Sequence, residues 1–464
     1  MKISEQYNNS GAGTLPITQT ASKKQSLVFV IASASAGTLI EFYDLILAIV
    51  LAPVISRNLF PEGEARFLET LAIIVTSYFV RPIGALLFGS IGDSAGRKKP
   101  FLVSLLMMGT ATFLIGCIPT FETIGWMAPV LLLILRLLQG LAISGEYTGA
   151  TIYVAEHAPE NKRGFYTGFI QSTIPLALLL CLGVLFTTQR SMTPEDFSTY
   201  GWRIPFLFSA VLVLLSYFIR RKLGETPKYA LLQTQGKISH QPVRESFQTK
   251  GNIKTMLLLI FGGCGAQSTL MQTTHFVMLF FLQRVVFLSF DTTLLVIGMA
   301  TLLGCPFFQL SGALSDKVGR KKIMLTGLLL SAVLVPLVFY FILQQANPQQ
   351  LKEVHTISTM VMAKLIVLIL SLHICCAMVY GPLGAFILES FPARIRFTSM
   401  GFVYNIGNGV LGGSTTFIAE LFRSIFIAST AFSLFAGLIY PLLLILTAGI
   451  VLAFFIPETY RNRI

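Results

Sequence analysis

Charge is what this chain has least of. Asp, Glu, Lys and Arg make up 12% of its 464 residues, about half the share of a soluble globular domain. That scarcity excludes a protein solvated on all sides by water. Metal and disulfide chemistry are missing as well. The six cysteines all lie in apolar stretches, Cys375 and Cys376 are adjacent, and none has metal-ligand or loop-disulfide spacing. Packing is their expected role. No His/Cys cluster, nucleophile elbow or phosphate-cradling loop occurs, so the chain is not read as an enzyme and no bound cofactor or metal is expected. Segments of about ten alternating residues, the mark of a membrane β-barrel, are also absent.

What the chain has instead is apolar length. Hydrophobic residues form 54% of it, and runs of 18 or more recur, enough for a helix to cross a bilayer. They predict an all-α membrane protein of twelve transmembrane helices. In the first half the spans are 28–52, 68–91, 100–119, 122–144, 165–187 and 202–221. In the second half they are 255–282, 292–313, 323–344, 362–386, 398–418 and 430–456.

The net charge of +13 imitates a nucleic-acid signal, but its distribution says otherwise and no nucleic-acid partner is expected. Of the 34 Lys and Arg, 24 fall on the tails and even-numbered links, seven on the opposite links, and three (Arg81, Arg136, Lys364) inside spans. By the positive-inside rule both termini are expected in the cytoplasm, with the basic loops touching anionic lipid headgroups. Residues 1–26 are polar and are expected to form a disordered cytoplasmic tail. Ala32-Ser33-Ala34 imitates a cleavage site, but only Leu27 to Ile31 precede it as an apolar stretch and the run continues past it, so cleavage is rejected.

One pattern occurs twice. Gly89-x-x-x-Asp93-x-x-Gly96-Arg97-Lys98 is repeated as Gly312-x-x-x-Asp316-x-x-Gly319-Arg320-Lys321. Glu156-x-x-Pro159-x-x-x-Arg163 is repeated as Glu389-x-x-Pro392-x-x-x-Arg396. Two ordered motifs at matching offsets mark an internal duplication. The halves are read as residues 27–222 and 255–464, two pseudo-symmetric six-helix bundles joined by a cytoplasmic linker over 223–254. Duplicated membrane proteins of this kind are most often transporters with a site between the halves.

Asp93 can cap the following helix or meet a basic group from another span, and Glu156 and Arg163 can reach the same cluster. A basic cluster that merely holds a loop inside would explain one copy. Two copies in register point to a latch that opens when the halves rock. Asp93, Arg97, Glu146, Glu156, Arg163, Asp316, Arg320, Glu389 and Arg396 are therefore the gating candidates.

Charges inside spans cost about 2.5–3.5 kcal/mol on insertion scales, so they are usually functional and paired. Glu41 and Asp44 lie three apart on the first span, on one helical face. Arg136 lies midway along the fourth, with Gln139 one turn on. Tyr43, Gln171, Gln267, Gln272, Asn405 and Asn408 join Arg136 and Gln139 as candidate substrate contacts, although each amide alone could be an inter-helix hydrogen bond. Arg81 reads as a snorkelling residue near the cytoplasmic end of span two, Trp202 as an interface anchor, and His275 as a hydrogen-bonded helix histidine rather than a relay.

The doubled loop motif is similar to the signature of the major facilitator superfamily. Ile40-Glu41-Phe42-Tyr43-Asp44, Arg81-Pro82-Ile83-Gly84, Arg136-Leu-Leu-Gln139-Gly140, Gly145-Glu146-Tyr147-Thr148-Gly149, Gly201-Trp202-Arg203-Ile204-Pro205-Phe206 and Glu225-Thr226-Pro227 narrow the resemblance to the metabolite–proton symporters. That family carries proline/betaine, 2-oxoglutarate, citrate and shikimate. The long charged C-terminal coiled coil of proline/betaine carriers is not matched, which puts osmotic sensing in doubt. The resemblance implies the major facilitator fold, alternating access in a bacterial inner membrane, a proton as coupling ion, and a first-span Asp facing a fourth-span Arg. By motif position these are Asp44 and Arg136.

The expected function is proton-coupled uptake of a small carboxylate or zwitterionic metabolite by a monomer, with Asp44, Glu41 and Arg136 handling the proton. A uniporter or antiporter of small solutes is the alternative within transport. A non-transporting sensor built on the same fold is the alternative outside it.

Overall fold

The computed structural model describes residues 26–221, 224–248, 250–426 and 435–460. The predicted tail falls outside these, except for Ser26, which caps the first helix. Among the described residues, twelve helical rods follow one another in chain order. The first half holds α1 (Leu27–Val50), α2 (Arg66–Ala95), α3 (Lys98–Gly116), α4 (Met127–His157), α5 (Glu160–Arg190) and α6 (Gly201–Arg220). The second holds α7 (Gly251–Arg284), α8 (Phe290–Val318), α9 (Arg320–Ala346), α10 (Thr359–Leu388), α11 and α12. Of these, α11 is assembled from Arg396–Tyr404, Asn405–Gly412 and Thr415–Ile425, and α12 is Ile439–Phe455. The first ten are long and apolar enough to cross a membrane. Large apolar side chains such as Leu214, Leu329, Val367 and Phe454 stay exposed on the outside, as a bilayer-solvated surface requires.

Glycine and proline set the departures from ideal helix. In α7 the stretches Ile260–Cys264 and Thr273–Val277 are π-helical, and in α11 so is Asn405–Gly412. Wide turns of this kind insert a residue into a helix and often occur at functional sites. The two helices lie together where Gly407 meets Cys264 and Gly412 meets Ser268. The first span ends at Val50, two residues before the predicted boundary. After Leu51 the chain enters a second helix, Ala52–Leu59, with Pro53 in its first turn, where proline is tolerated. The linker is also more ordered than its lack of apolar period suggests. It contains Pro227–Thr234, capped by the Thr226 hydroxyl, and Pro242–Gln248.

The halves meet along two symmetry-related seams. Helix α2 packs on α11, and α8 packs on α5. At mid-depth the Tyr147 and Tyr404 rings stack across the interface with centroids 3.7 Å apart, and Asn405 Nδ2 donates to the Ser144 carbonyl at 2.9 Å.

Candidate functional site

The end of the bundle that carries the duplicated loops is closed by two matching sets of contacts. Asp93, near the end of α2, reaches across to the other half. Its carboxylate accepts from the Phe397 N–H at 3.3 Å, and from the Thr398 N–H and hydroxyl at 2.9 Å each. Asp316, near the end of α8, accepts from the Gly164 and Phe165 N–H groups at 2.9 Å. Each aspartate thus caps the first turn of a helix in the opposite half, where free N–H groups and the helix dipole favour an anion. This differs from a cap on the following helix. The first turn of α3 is already served by Glu225, which accepts from the Arg97 N–H at 3.0 Å. In the second half Glu458 accepts from the Arg320 and Lys321 N–H groups at 2.9 and 3.1 Å.

The glycines explain how the backbones come so near. Gly96 and Gly319 have φ of 104° and 115°, a region that side chains with a Cβ avoid. A Cβ there would also strike the Glu225 and Glu458 carboxylates respectively. Gly89 lies against the Thr398 backbone, and Gly312 against that of Gly164.

Glu156 pairs with Arg97 and, across the seam, with Arg396 at 3.3 Å. Arg97 Nη2 also crosses the seam, donating to the Ala393 carbonyl at 3.4 Å. In the second half Arg320 holds Asp316 at 2.6 Å and Glu389 at 3.1 Å, and Arg163 from the first half lies within electrostatic reach of Glu389. Burial raises the Glu389 carboxyl above the usual carboxylate range, against the opposing pull of Arg320. The Thr459 hydroxyl donates to it at 2.9 Å. Eight of the nine gating candidates therefore converge on these two clusters. Glu146 does not. It pairs with Arg220 and accepts from the Thr38 hydroxyl at 3.2 Å, wholly inside the first half, because it sits on the face of α4 turned toward α1 and α6. Glu225-Thr226 was visible in the sequence, and Glu458-Thr459 is its counterpart at the end of the last span. Reading the duplication one motif further would have found it.

The opposite end is held more loosely. Arg190 and Asp291 form an exposed pair at 3.6 Å, Phe67 meets Phe280 edge to face, and the Arg284 guanidinium lies over the Phe67 ring at 4.2 Å.

Between the two ends lies a small cavity of about 40 Å³ shared by both halves. Phe42, Tyr78 and Arg81 line it from the first half, and Gln272, Tyr380 and Asn408 from the second. Arg81 is the unexpected member. It stands in the middle of α2 rather than near its end, 2% exposed, with its guanidinium 4.3 Å from the Tyr78 ring centre. Its Nε and Nη2 have no hydrogen-bond partner. The α2 helix begins two residues earlier and ends four residues later than the predicted span, but position 81 lies near the middle of both, so the snorkelling reading did not follow from the boundaries.

Glu41 and Asp44 are fully buried on α1, and none of their four carboxylate oxygens has a hydrogen-bond partner. Arg220 and Arg81 are the cations within electrostatic reach of Glu41. The pairing of Asp44 with Arg136 that the resemblance implies is not formed. Arg136 turns its two terminal nitrogens elsewhere, to Gln139 Oε1 at 2.7 Å, the Ile74 carbonyl at 3.3 Å and the Ser77 hydroxyl at 3.4 Å, and its Nε has no partner. Gln139 turns its amide to the Thr112 hydroxyl at 2.7 Å, and Thr112 stands beside Asp44 without a well-formed hydrogen bond.

Of the amide candidates, Gln272 and Asn408 line the cavity. Gln272 also bridges the halves, donating to the Tyr78 hydroxyl at 3.1 Å. Asn408 donates to Gln267 at 3.1 Å, which leaves Gln267 Nε2 unpartnered. Gln171 donates to the Tyr147 hydroxyl at 2.5 Å and has a free carbonyl oxygen. Asn405 joins α11 to α4, as described. Tyr43 donates to the Pro205 carbonyl at 2.9 Å and acts within the first half. Trp202 is fully buried, with Phe206 against its ring, rather than at an interface; the exposed tryptophan is Trp126.

Residues 34–414 match the family model of the Major Facilitator Superfamily. The chain is 31% identical to an alpha-ketoglutarate permease of Escherichia coli over 411 residues, 88% of this chain and 90% of that one. It is 30% identical to a citrate-proton symporter of Klebsiella pneumoniae over 420 residues, 88% of each. In structure it resembles the proton:xylose symporter XylE, with a TM-score of 0.71, 19% identity, and coverage of 93% of this chain and 96% of that one. The chain belongs to the Major Facilitator Superfamily and is a multi-pass membrane transporter of metabolites.

Proposed function

We propose that the protein is a proton-coupled symporter that takes up a small carboxylate or zwitterionic metabolite across a bacterial inner membrane, with both termini in the cytoplasm. One observation carries this reading. Arg81 presents a buried guanidinium with two unpartnered nitrogens to a cavity shared by both halves, and the unpartnered acid Glu41 lies within its electrostatic reach. An arginine fork matches a carboxylate. The two relatives named above are an alpha-ketoglutarate permease and a citrate-proton symporter, and both solutes are carboxylates.

In this mechanism the solute carboxylate takes Arg81, and Glu41, left in a dry site with only Arg220, which is itself paired with Glu146, takes a proton. Neutralising the site lets the loaded carrier cross. Asp44, one turn along, is the second coupling carboxylate, and Arg136 orders the α4 face through Gln139 and Thr112. Gln272 and Asn408 are the proposed polar contacts to the solute. A cavity of about 40 Å³ holds little more than water, so solute entry requires the halves to part. Parting at the loop-motif end breaks the Asp93 and Asp316 caps together. One proton moving down 100 mV supplies about 2.3 kcal/mol, or about fifty-fold accumulation.

A thermal-shift screen of the purified protein against mono-, di- and tricarboxylates, proline and betaine tests the reading. Stabilisation by at least one of them, lost in Arg81→Gln, is expected. No stabilisation by any, or stabilisation unchanged in Arg81→Gln, contradicts it.

A further inference from the structure

The second half contains a buried polar pair that transport through the central cavity does not use. His275 lies in the π-helical turn Thr273–Val277 of α7, and His373 lies on α10. They are 1% and 0% exposed. Their Nε2 atoms are 2.9 Å apart. Each Nδ1 faces the carbonyl four residues back, His275 to Met271 at 2.9 Å and His373 to Ile369 at 3.1 Å.

Counting protons makes this arrangement informative. A ring nitrogen can meet a carbonyl oxygen at that distance only by donating to it, so both Nδ1 atoms carry hydrogen. The Nε2–Nε2 contact needs one hydrogen more. Three contacts therefore require three ring protons, and two neutral imidazoles carry two. The Thr301 hydroxyl, 3.1 Å from His373 Nε2, can donate to that atom but leaves the lone pair of His275 Nε2 facing it. Only a third ring proton, shared between the two Nε2 atoms, completes the set.

We propose that His275 and His373 form a proton-binding site of capacity one inside the second half, separate from the first-span acids, and that uptake of this proton clamps α7 onto α10. The surroundings suit a proton rather than a metal ion. Among the described residues no third ligating side chain joins the pair. From α8 the pair meets Thr301 and the bare face of Gly304. On α10 itself Cys376 lies one turn on, with its Sγ at 4.0 Å from Met271 Sδ, and Cys375 is its neighbour. From α11 the facing groups are Thr415 and Thr416, bonded to Thr269 and Gln272. Charged side chains of these helices are engaged elsewhere, Arg284 and Arg423 with Glu420, Lys364 with Gln345, Asp291 with Arg190, Asp316 with Arg320 and Arg396 with Glu156. No acid neutralises the pair, so burial opposes the charge while three hydrogen bonds favour it.

The consequence reaches the cavity. Gln272, one turn before His275, donates to Tyr78 across the interface, and Phe276 also lines the space. When the shared proton leaves, the two Nε2 lone pairs repel, the π-helical turn loosens from α10, and the α7 contribution to the cavity shifts with it.

The test is solid-state NMR of protein labelled with ¹⁵N-histidine in lipid vesicles without solute, so its result does not depend on the transport reading. The chain has five histidines, assigned by single substitutions. At acid pH an N–H···N coupling is expected between the two Nε2 atoms, with both Nδ1 atoms protonated; on raising the pH the pair loses one proton and the coupling disappears. In His373→Gln the side-chain amide donates permanently to His275 Nε2. The pair titration is then lost while the signals of the other three histidines are unchanged from those of the native protein. Two neutral rings at every pH at which the protein stays folded, or a His275 titration unchanged by His373→Gln, overturns the proposal.

Discussion

A single arginine decides how the central cavity is read. Arg81 and Arg136 are both buried, but Arg136 spends both terminal nitrogens on Gln139, Ser77 and a carbonyl and leaves Nε alone unpartnered, whereas Arg81 keeps Nε and Nη2 unpartnered and lines the cavity. Replacing Arg81 with Gln should weaken solute binding about 10- to 100-fold, or about 1.4–2.8 kcal/mol, the usual worth of a charge-assisted contact. Arg81→Lys should recover only part of it, because an ammonium keeps the charge and loses the fork. Isothermal titration with the best-stabilising solute measures both. Equal affinity in Arg81→Gln and the native protein would remove Arg81 from the site. This residue was present in the sequence as Arg81-Pro82-Ile83-Gly84, and its mid-span position was legible there, but which face of α2 it occupies was not, so a cavity-lining charge was read as a snorkel. The unused partnership of Asp44 and the second histidine of the His275 pair were hidden for a related reason. Which buried groups meet depends on helix rotation, and apolar runs do not specify it.

At the scale of elements, the loops were legible and the helix interiors were not. Gly, Asp and Arg recur in register at loop positions because a tight turn, a cap and a cation have fixed geometric needs. Asp93 and Asp316 meet those needs by capping helices of the opposite half. The π-helical stretches of α7 and α11 have no comparable signature beyond scattered glycines. Asp93→Asn should favour separation of the halves at this end, since an amide turns one accepting oxygen into a donor against two N–H groups. The expected shift is about 1–2 kcal/mol, roughly 5- to 30-fold in the conformational equilibrium, with solute affinity nearly intact. Spin-label distances across the α2–α11 seam report it, and an unchanged distance distribution would contradict the latch. Glu225→Ala and Glu458→Ala should each cost about 1 kcal/mol in thermal stability, as the loss of a helix cap does. If only one of them destabilised the protein, the twofold equivalence of these caps would fail. Gly96→Ala should be worse than either, since it adds strain at φ of 104° and a clash with Glu225.

For the whole molecule, the proposed function implies a two-part machine whose halves would share one solute site and exchange one proton with it. The doubled motifs announced the two parts, and the 24-to-7 split of basic residues predicts both termini in the cytoplasm. A fluorescent reporter fused after Ile464 should be active and a disulfide-dependent phosphatase fused there should be inactive; the reverse pattern would invert the topology. The central claim is the coupling of proton to solute through Glu41, and uptake into proteoliposomes with an imposed proton gradient tests it most directly. Glu41→Gln imitates the permanently protonated acid. The account predicts that this variant still exchanges solute across the membrane, because exchange needs no net release of a proton, but no longer concentrates it, whereas the native protein accumulates it about fifty-fold at a gradient equivalent to 100 mV. Undiminished accumulation by Glu41→Gln would contradict the account and pass the coupling role to Asp44.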